Sequence, residues 1–490
     1  MESINLEETL ILNSDYRLVN DMDRIVLISD RGSQYFFSFI HPMHAILLSF
    51  FKGKKPMKEI ISEVSNYFSI SKENTLKTIH PFIKNSNNLC IEYDDRKFIF
   101  PQNVLIENTE NKIRQDIDYN LYATSLPCNF ERMRFSKPTA IVFVINTSCA
   151  TDCIYCYANR KEKYIPMSTP KILSIIDEAH DIGITDFDIT GGEIFLQKDW
   201  ELILGRLNRY GFISNLSTKV PLSKEMIDKF VKIGFRELQV SIDSFDSKLQ
   251  TGNLKVANSY VNRMKESLIY LDSKGIELII KGTQTKDTLT VKNISEVIGF
   301  ISLLKNVKRY MISIIGTSLY KTNEEYHRIK PSLDQIKETL NLIHQKQKEA
   351  YFEITFDDQR ILKEEMCNYS RFKERSLCTG NINGLIILPD GKVTICEELY
   401  WNEHFVIGDL TKSSIQEIWN STKAVSLWDL NQAEIPKESA CSSCQDFDNC
   451  RKGRGVCWKM IVKGYDWHNY LYPDPRCPKA PKLIHNICSD

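Results

Sequence analysis

Residues 149–156 read CATDCIYC and place Cys149, Cys153 and Cys156 on one short loop, just after the apolar run Ala140 to Ile145. Three thiolates can hold three irons of a [4Fe–4S] cube and leave the fourth iron open to a substrate or cofactor. A structural zinc ion wants four protein ligands and typically uses paired C-x2-C units. The single uneven triplet therefore favours an iron–sulfur cluster over zinc.

Seven further cysteines with metal-like spacing lie in the C-terminal part of the chain. They are Cys378, Cys396, Cys441, Cys444, Cys450, Cys457 and Cys477. Seven thiolates are enough for most of two more clusters. A disulfide framework is the alternative, but such frameworks belong to small secreted domains, whereas this chain has 490 residues.

Charge and hydropathy restrict the class of protein. The chain has 63 basic and 63 acidic residues, so nothing in the balance indicates a polyanionic partner, and we expect no nucleic acid. No signal peptide is evident, and the apolar stretch Met43 to Phe51 is far shorter than a membrane span. We therefore expect a cytoplasmic protein without a membrane partner.

Residues 1–105 predict a small winged-helix-like domain with strands, helices and a closing hairpin. The predicted strands are Tyr16 to Asn20, Arg24 to Ser29, Gln34 to Phe39, Leu89 to Tyr93 and Lys97 to Phe100, with a turn at Arg31 to Ser33; the predicted helices are Pro42 to Phe51, Pro56 to Phe68 and Lys72 to Ile83. Winged helices often bind DNA, which requires a positively charged surface. Here the acidic Glu73 and Asp95 interrupt the positive charge that the lysines of the third helix would provide. An exposed strand edge can instead accept an extended peptide, which we favour over DNA binding and over a purely structural cap.

Residues 106–137 are mixed and polar, and they predict a linker. Strand and helix patterns then alternate six times over residues 138–357, which predicts an α/β fold, a partial (β/α)6 barrel. The predicted strands begin with Thr139 to Ile145, Asp186 to Thr190, Phe212 to Leu216 and Glu237 to Ile242. Chemistry gathers at the carboxyl ends of such strands, and the cysteine loop lies at one of these ends.

The second predicted strand runs directly into Gly191, Gly192 and Glu193. Paired glycines let the backbone approach a ligand closely, and the glutamate can accept a hydrogen bond from an ammonium group. Most Gly-Gly-Glu triplets are ordinary turns. One strand after a cysteine-triplet loop, the motif becomes specific.

Together, Cys149-x3-Cys153-x2-Cys156 and Gly191-Gly192-Glu193 resemble the radical S-adenosylmethionine (SAM) superfamily over Pro138 to Asp357. The resemblance implies that the open iron binds SAM and that the reduced cluster cleaves it to a 5′-deoxyadenosyl radical, which abstracts hydrogen from carbon. It also implies a reducing partner such as flavodoxin or ferredoxin.

The same resemblance assigns SAM contacts residue by residue. It implies that Tyr155 lies near the adenine and that Gly191, Gly192 and Glu193 hold the methionine amino group. Polar residues after the third and fourth strands then contact the ribose and carboxylate. These residues are Ser214, Asn215, Ser241 and Asp243.

The C-terminal cysteines resemble the SPASM extension of that superfamily, which carries auxiliary clusters, over residues 358–490. The resemblance implies Cys378, Cys396 and Cys457 for a first auxiliary cluster. It implies Cys441, Cys444, Cys450 and Cys477 for a second, and therefore three [4Fe–4S] clusters in all. Cys367 is a possible fourth ligand of the first auxiliary cluster. If it is not, that cluster has an open iron for a substrate thiolate.

The N-terminal domain resembles PqqD-like recognition elements, which grip leader segments of ribosomally made precursor peptides. The arrangement implies an enzyme that modifies such a peptide, with a leader strand adding beside Gln34 to Phe39. Thioether formation between cysteine sulfur and carbon is the favoured reaction. Carbon–carbon cross-linking, epimerisation, sulfatase maturation, a metal-dependent DNA-binding regulator and a non-catalytic peptide-binding scaffold are the alternatives.

Overall fold

The computed structural model describes residues 5–29, 36–93 and 95–488. The chain divides into two compact units, Met1–Ser136 and Lys137–Asp490. Each unit has its own buried apolar core. No helix in these described ranges is both long and apolar enough to cross a membrane.

The first unit combines short antiparallel strands with three helices. Its strands are β1 (Thr9–Leu12), β2 (Tyr16–Asn20), β3 (Ile25–Ser29), β4 (Phe37–Ile40), β5 (Lys52–Pro56), β6 (Leu89–Tyr93), β7 (Arg96–Phe100) and β8 (Leu105–Glu107); its helices are α1 (Pro42–Ser49), α2 (Met57–Phe68) and α3 (Lys72–Ile79). One sheet has the order β5-β1-β8, a second has the order β2-β3-β4, and β6 pairs with β7. Strand β4 is thus an edge strand of the second sheet.

Local chemistry explains the helix ends of this unit. Helix α1 begins at Pro42, whose missing N–H costs nothing at a first turn. Helix α2 ends at Phe68, and the following residue, Ser69, caps it with a left-handed backbone and a φ of 54°. Helix α3 ends at Ile79, earlier than the predicted Ile83, and a 3-10 turn at His80–Phe82 follows because Pro81 cannot continue the helical hydrogen bonds.

Most predicted strands of this unit are confirmed within a residue or two. The predicted turn 31–33 and the residues 34–35 lie outside the described residues. The remainder of that predicted strand is β4, displaced to Phe37–Ile40. The sheet β5-β1-β8 was not predicted, because β5 reads Lys-Gly-Lys-Lys-Pro and carries no apolar alternation.

Residues 106–137 do more than link two domains. Strand β8 extends to Glu107 and pairs with β1. Ile117 and Tyr122 are buried in the core of the first unit. Arg114 donates through Nη1 to the carbonyl oxygens of Asn13 and Tyr16, each at 3.1 Å. The linker prediction therefore missed a segment that completes the first unit, because its few apolar residues show no period.

The second unit alternates strands and helices before a cysteine-rich C-terminal part. Its strands are β9 (Ala140–Val144), β10 (Asp186–Thr190), β11 (Ser217–Thr218), β12 (Glu237–Ser241), β13 (Glu277–Gln284), β14 (Val307–Ile314), β15 (Glu353–Asp358), β16 (Gly384–Ile387), β17 (Lys392–Thr394) and β18 (Val406–Asp409). Its helices are α4 (Thr169–Asp181), α5 (Trp200–Arg209), α6 (Lys224–Ile233), α7 (Ser247–Leu254), α8 (Tyr260–Ser273), α9 (Val291–Ile301), α10 (Asn323–Ile329), α11 (Leu333–Lys346), α12 (Tyr369–Glu374), α13 (Ile415–Trp419), α14 (Thr422–Trp428) and α15 (Trp458–Tyr465).

The strands of the predicted barrel run parallel, as expected. One sheet has the order β11-β12-β13-β14-β15, and β9 pairs with β10 in the other, with Ala140 opposite Asp186. The third predicted strand was misplaced: Ile213 makes a lone bridge to Asp186, and the ladder to β12 forms only at Ser217–Thr218. Because the strands within each of these sets are parallel, their carboxyl ends lie along the same edge of the sheet.

The C-terminal part shares a sheet with the barrel. Strand β16 lies parallel to β9, with Gly384 opposite Ala140, and β17 and β18 extend the same sheet antiparallel. The Pro-Asp-Gly sequence at Pro389 to Gly391 is typical of a hairpin turn; it joins β16 to β17, and Gly391 has a φ of +90°. This pairing places the hairpin at the carboxyl end of β9, and β17 then runs back antiparallel along β16.

Candidate active site and cluster sites

The cysteine loop follows β9 and lines a large cavity. Among the described cavities that have cysteines in their walls, this one has the largest volume. Cys149, Cys153 and Cys156 are half-buried and line a cavity of about 520 Å³. Burial raises the pKa of the Cys149 thiol to about 11, and the nearby Cys156 and Cys153 add to the effect. Iron binding requires the thiolate, so a positively charged cluster core would have to displace these protons.

The two glycines after β10 lie against the backbone of the cysteine loop. A Cβ at Gly191 would meet the Asn146 carbonyl oxygen at 2.3 Å, and one at Gly192 would meet the Ser148 carbonyl oxygen at 1.9 Å. The buried side chain of Asn146 donates to the Glu193 carbonyl oxygen at 3.2 Å and accepts from the Ser148 amide at 3.0 Å. Only glycine fits here, and Asn146 fastens the two loops together.

Glu193 is buried at the wall of the cavity. Its carboxylate accepts hydrogen bonds from Thr218 Oγ1 at 3.0 Å and from the Lys219 amide at 3.1 Å. Burial raises the pKa of Glu193 to about 7, although these hydrogen bonds favour the carboxylate. A ligand ammonium at this wall would therefore stabilise the charged form of Glu193.

Tyr155 belongs to a hydrogen-bonded group with Lys219 and Asp243. The fully buried Asp243 accepts from the Thr283 amide at 2.9 Å, from Lys219 Nζ at 3.2 Å and from the Tyr155 hydroxyl. Lys219 and Tyr155 line the cavity, and Asp243 lies behind them. Lys219 places a cation at this wall. The sequence did not predict this cation, because Lys219 follows a strand of only two residues.

The predicted polar residues of the third and fourth strands separate in the structure. Ser241 lines the cavity. Ser214 donates to the Phe187 carbonyl oxygen at 2.7 Å, and Asn215 bonds to Asp188 through its amide at 2.6 Å. Neither is among the described residues that line the cavity. The next residues along the chain, 217–219, take that place because the strand that carries them begins later than predicted.

The far wall of the cavity comes from residues that the sequence analysis did not single out. They are Tyr157, Lys281, Thr283, Thr317, Gln359, Glu397, Glu398 and Lys459. Burial raises the pKa of Glu397, and neighbouring Glu398 adds to the rise. Since Glu397 follows Cys396, this wall connects the barrel cavity to the C-terminal cysteines.

Four C-terminal cysteines line one smaller cavity of about 80 Å³. They are Cys441, Cys444, Cys450 and Cys477, the four that the sequence grouped. Burial raises the pKa of Cys477 to about 11, and the other three thiols contribute. Residues separated by 36 positions in sequence thus meet as a complete set of four thiol ligands.

Cys378, Cys396 and Cys457 form a third group. Burial raises the pKa of Cys396 to about 12, and both Cys457 and Cys378 act on it electrostatically. Cys367 lies near this group: its amide donates to the Pro475 carbonyl oxygen at 3.3 Å, and Asp474, the preceding residue, accepts from the Cys457 amide at 3.0 Å.

The three cysteine sets fit iron–sulfur cubes by their donor chemistry. Thiolates are the donors such cubes use, three where one iron is left for another ligand and four where the cube is closed. The three-thiol set of the barrel faces a cavity of about 520 Å³, and the four-thiol set encloses one of about 80 Å³. Within the described residues, no three or more His, Cys, Asp or Glu side chains gather around the position of a single ion.

The sequence matches two family models. Residues 143–291 match the Radical SAM superfamily, and residues 378–445 match the SPASM iron–sulfur cluster-binding domain. The chain is therefore a radical SAM enzyme. More narrowly, it carries a SPASM domain, and its cofactors are [4Fe–4S] clusters and SAM.

The relatives in sequence are distant, but the similarity extends over more than half of this chain. The chain is 22% identical over 356 residues to the PqqA peptide cyclase of Xanthomonas axonopodis pv. citri, which covers 70% of this chain and 88% of that protein. It is 24% identical over 263 residues to a Pyrobaculum aerophilum protein named "Probable GTP 3′,8-cyclase", covering 52% of this chain and 82% of that protein.

Solved structures extend the similarity to nearly the whole chain. SuiB of Streptococcus suis bound to SAM has a TM-score of 0.61 at 15% identity, covering 95% of this chain and 99% of that one. SuiB bound to the precursor peptide SuiA has a TM-score of 0.60 at 16% identity, covering 96% and 99%. The fold, including an N-terminal unit, is shared.

Proposed function

We propose that this protein modifies a ribosomally synthesised precursor peptide, most readily by joining a cysteine sulfur to a carbon atom of the peptide. The observation that carries the proposal is the combination of an N-terminal unit with an edge strand and a radical SAM body with three cysteine sets. The names of the PqqA peptide cyclases and the complex of SuiB with SuiA support a peptide substrate.

In this proposal Cys149, Cys153 and Cys156 hold the cluster that binds SAM. When bound, cluster and SAM together supply a 5′-deoxyadenosyl radical that abstracts hydrogen. The protein's own part is positional: Gly191 and Gly192 bring backbone to the ligand, and Glu193 accepts from its ammonium group. Lys219 lies beside Tyr155 at the same wall and pairs with Asp243. Its ammonium group has a third N–H, which can donate to a carboxylate of the ligand.

Cys378, Cys396 and Cys457 hold the first auxiliary cluster, and Cys441, Cys444, Cys450 and Cys477 hold the second. Three protein thiolates leave one iron for a cysteine of the peptide, which favours a thioether product. Cys367 completes the first set if it moves from its present contact with Pro475. Cys367→Ala therefore lowers the iron content only if that residue is a ligand.

The N-terminal unit is proposed to bind the leader of the peptide. An edge strand presents a row of backbone donors and acceptors to which an extended segment can add, and β4 is such a strand. Removal of residues 1–136 should weaken binding of a labelled precursor peptide. Full iron content in the truncated protein is the control. Unchanged peptide affinity would refute the recognition role.

The reaction itself is tested by anaerobic co-expression with a candidate precursor, a small cysteine-containing peptide chosen from the open reading frames beside this gene. Tandem mass spectrometry should show the loss of two hydrogens per modified site and a thiol that no longer reacts with an alkylating agent. Co-expression with Cys149→Ala is the matched control. An unchanged peptide mass with the active enzyme would contradict a cross-linking function.

Carbon–carbon cross-linking is the second candidate, because the relatives named peptide cyclases support ring closure without specifying the bond. It gives the same loss of two hydrogens but leaves every cysteine of the peptide open to alkylation. The alkylation step therefore separates the two reactions in one experiment.

A further inference from the structure

Nitrogen donors surround the four-cysteine cavity. Each of its four sulfurs lies within hydrogen-bond distance of one nitrogen, and three of the four nitrogens belong to cationic side chains. The pairs are Arg451 Nη2 with Cys441 Sγ at 3.4 Å, Lys479 Nζ with Cys444 Sγ at 3.4 Å, Arg375 Nη2 with Cys450 Sγ at 3.4 Å, and the Lys479 amide with Cys477 Sγ at 3.5 Å.

Arg451 is the central member of this group. Its side chain is only 5% exposed, and it lines both the four-cysteine cavity and a neighbouring cavity that Cys378 lines. Nη2 also donates to the Tyr472 carbonyl oxygen at 2.8 Å, but Nε and Nη1 have no hydrogen-bond partner among the described residues. A buried donor without an acceptor is energetically unfavourable, so an acceptor at this position is expected.

Arg375 is held in place by the same segment of chain. It is 7% exposed and donates to the Gly455 carbonyl oxygen from Nη2 at 2.8 Å and from Nε at 3.0 Å. Arg454 donates in turn to the Arg375 carbonyl oxygen at 2.8 Å. The turn that follows Cys450 therefore supplies one arginine and positions another.

The acidic side chains of this cavity do not cancel these charges. Asp474 is buried, but it is paired with Arg476 at 2.9 Å. Asp446 also lines the cavity and is exposed. The three-cysteine set differs, since Glu397 and Glu398 directly follow Cys396 and only Glu398 forms an ion pair, with Lys459, among the described residues.

We propose that Arg375, Arg451 and Lys479 raise the reduction potential of the cluster held by Cys441, Cys444, Cys450 and Cys477. The proposal rests on the ligand assignment made above for the second auxiliary cluster. One-electron reduction makes the cluster more negative without forming or breaking a bond, and hydrogen bonds from cations to its sulfurs stabilise that added charge. The four-cysteine cluster is then the better electron acceptor of the two auxiliary clusters.

The test is an anaerobic redox titration of the reconstituted full-length protein, followed by electron paramagnetic resonance. Cys450→Ser identifies the signal of the four-cysteine cluster by its loss. Arg451→Gln removes a buried cation, and Lys479→Gln removes an exposed one whose loss does not endanger folding. Lys452→Gln is the matched control, because Lys452 lies on the same turn but pairs with Asp429 at 2.6 Å and Asp448 at 3.0 Å.

We expect Arg451→Gln to shift the ratio of oxidised to reduced cluster at least tenfold towards oxidised at a fixed potential, which is about 59 mV for one electron. Lys479→Gln should shift it in the same direction by less, Arg451→Lys should recover part of the loss, and Lys452→Gln should leave it unchanged. Iron and sulfide contents should equal those of the wild type.

An unshifted ratio in Arg451→Gln and Lys479→Gln at full iron content overturns the proposal. An equal shift in Lys452→Gln overturns it too, because the effect would then be that of general surface charge. If Arg451→Gln loses its iron, Lys479→Gln alone decides, and an unchanged ratio there counts against the proposal. An electron paramagnetic resonance spectrum unchanged in Cys450→Ser would instead show that the ligand assignment is wrong.

Discussion

The barrel cavity and the four-cysteine cavity are both lined by cysteines, yet they differ in volume, thiol number and surrounding charge. The first measures about 520 Å³, has three cysteines and is lined by acids, lysines and glycines. The second measures about 80 Å³, and Phe372, Phe447 and Val456 are among the residues that line it with its four cysteines. The first has room for a ligand besides a cluster, whereas the second closes around a cluster alone. We infer that one is built for chemistry and the other for electron transfer.

Removal of one cysteine from each site tests the difference between the two cavities most directly. Cys149→Ala should abolish SAM cleavage, because the cluster that binds SAM loses one of only three protein ligands. Formation of 5′-deoxyadenosine under anaerobic, reducing conditions measures this. Retained SAM cleavage in Cys149→Ala would contradict the assignment of Cys149 as a ligand of the SAM cluster.

The paired change at the closed site is Cys450→Ser. It should lower the iron content by up to about four atoms per chain, one cube, because the remaining three thiolates hold the cube less firmly, while uncoupled SAM cleavage persists. Iron and acid-labile sulfide analysis gives the first quantity, and the 5′-deoxyadenosine assay gives the second. Loss of SAM cleavage together with the iron would mean that the two sites are not separable in the way proposed.

Gly192→Ala tests how tightly the barrel cavity is built. The added Cβ would lie 1.9 Å from the Ser148 carbonyl oxygen, so the glycine loop and the cysteine loop must separate. We expect SAM affinity to fall at least about tenfold, the loss of roughly one charge-assisted hydrogen bond.

Gly205→Ala is the control for that change. Gly205 lies in helix α5 with nothing within 4 Å of an added Cβ, so alanine should stabilise the helix by about 0.5–1 kcal/mol. Equilibrium dialysis for SAM and thermal unfolding of both variants distinguish a local clash from a general effect. Wild-type SAM affinity in Gly192→Ala would contradict the close approach of the two loops.

The smallest predicted effect is the pH dependence of SAM binding. The pKa of Glu193 is raised by burial to about 7 in the absence of a ligand, so the group is largely protonated at pH 6 and largely ionised at pH 8. An ammonium group prefers the ionised form, so SAM affinity should rise with pH over this interval, by up to about tenfold per unit below the pKa. Dissociation constants at pH 6, 7 and 8 measure it.

Glu193→Gln supplies the control for the pH series, since an amide does not titrate. Its SAM affinity should be lower than that of the wild type at pH 8 and should change less between pH 6 and pH 8. An identical pH profile in the two proteins would assign the titration to another group.

The sequence predicted much of the fold because its signals are local. The apolar spacing predicts helices at Lys224 to Ile233 and at Tyr260 to Ser273, and α6 and α8 begin and end at these residues. Their apolar spacing is regular, and Ser223 caps the first of them by accepting from the Met226 amide. The short strand β11 was misplaced because two residues carry no periodic pattern, and the same displacement keeps Ser214 and Asn215 away from the cavity wall.

The cysteine triplet predicted the class of protein because its three ligands lie within eight residues, whereas the two C-terminal thiol sets interleave along the chain and were implied by the resemblance to SPASM sequences. Only the tertiary structure decided which charges face them. Lys219 meets Tyr155 across 64 positions, and Arg375 meets Cys450 across 75 positions. Such pairs depend on how strands and turns pack, which no local pattern records. The sequence therefore indicates the class of protein, and the fold determines the electrostatic environment in which its thiols act.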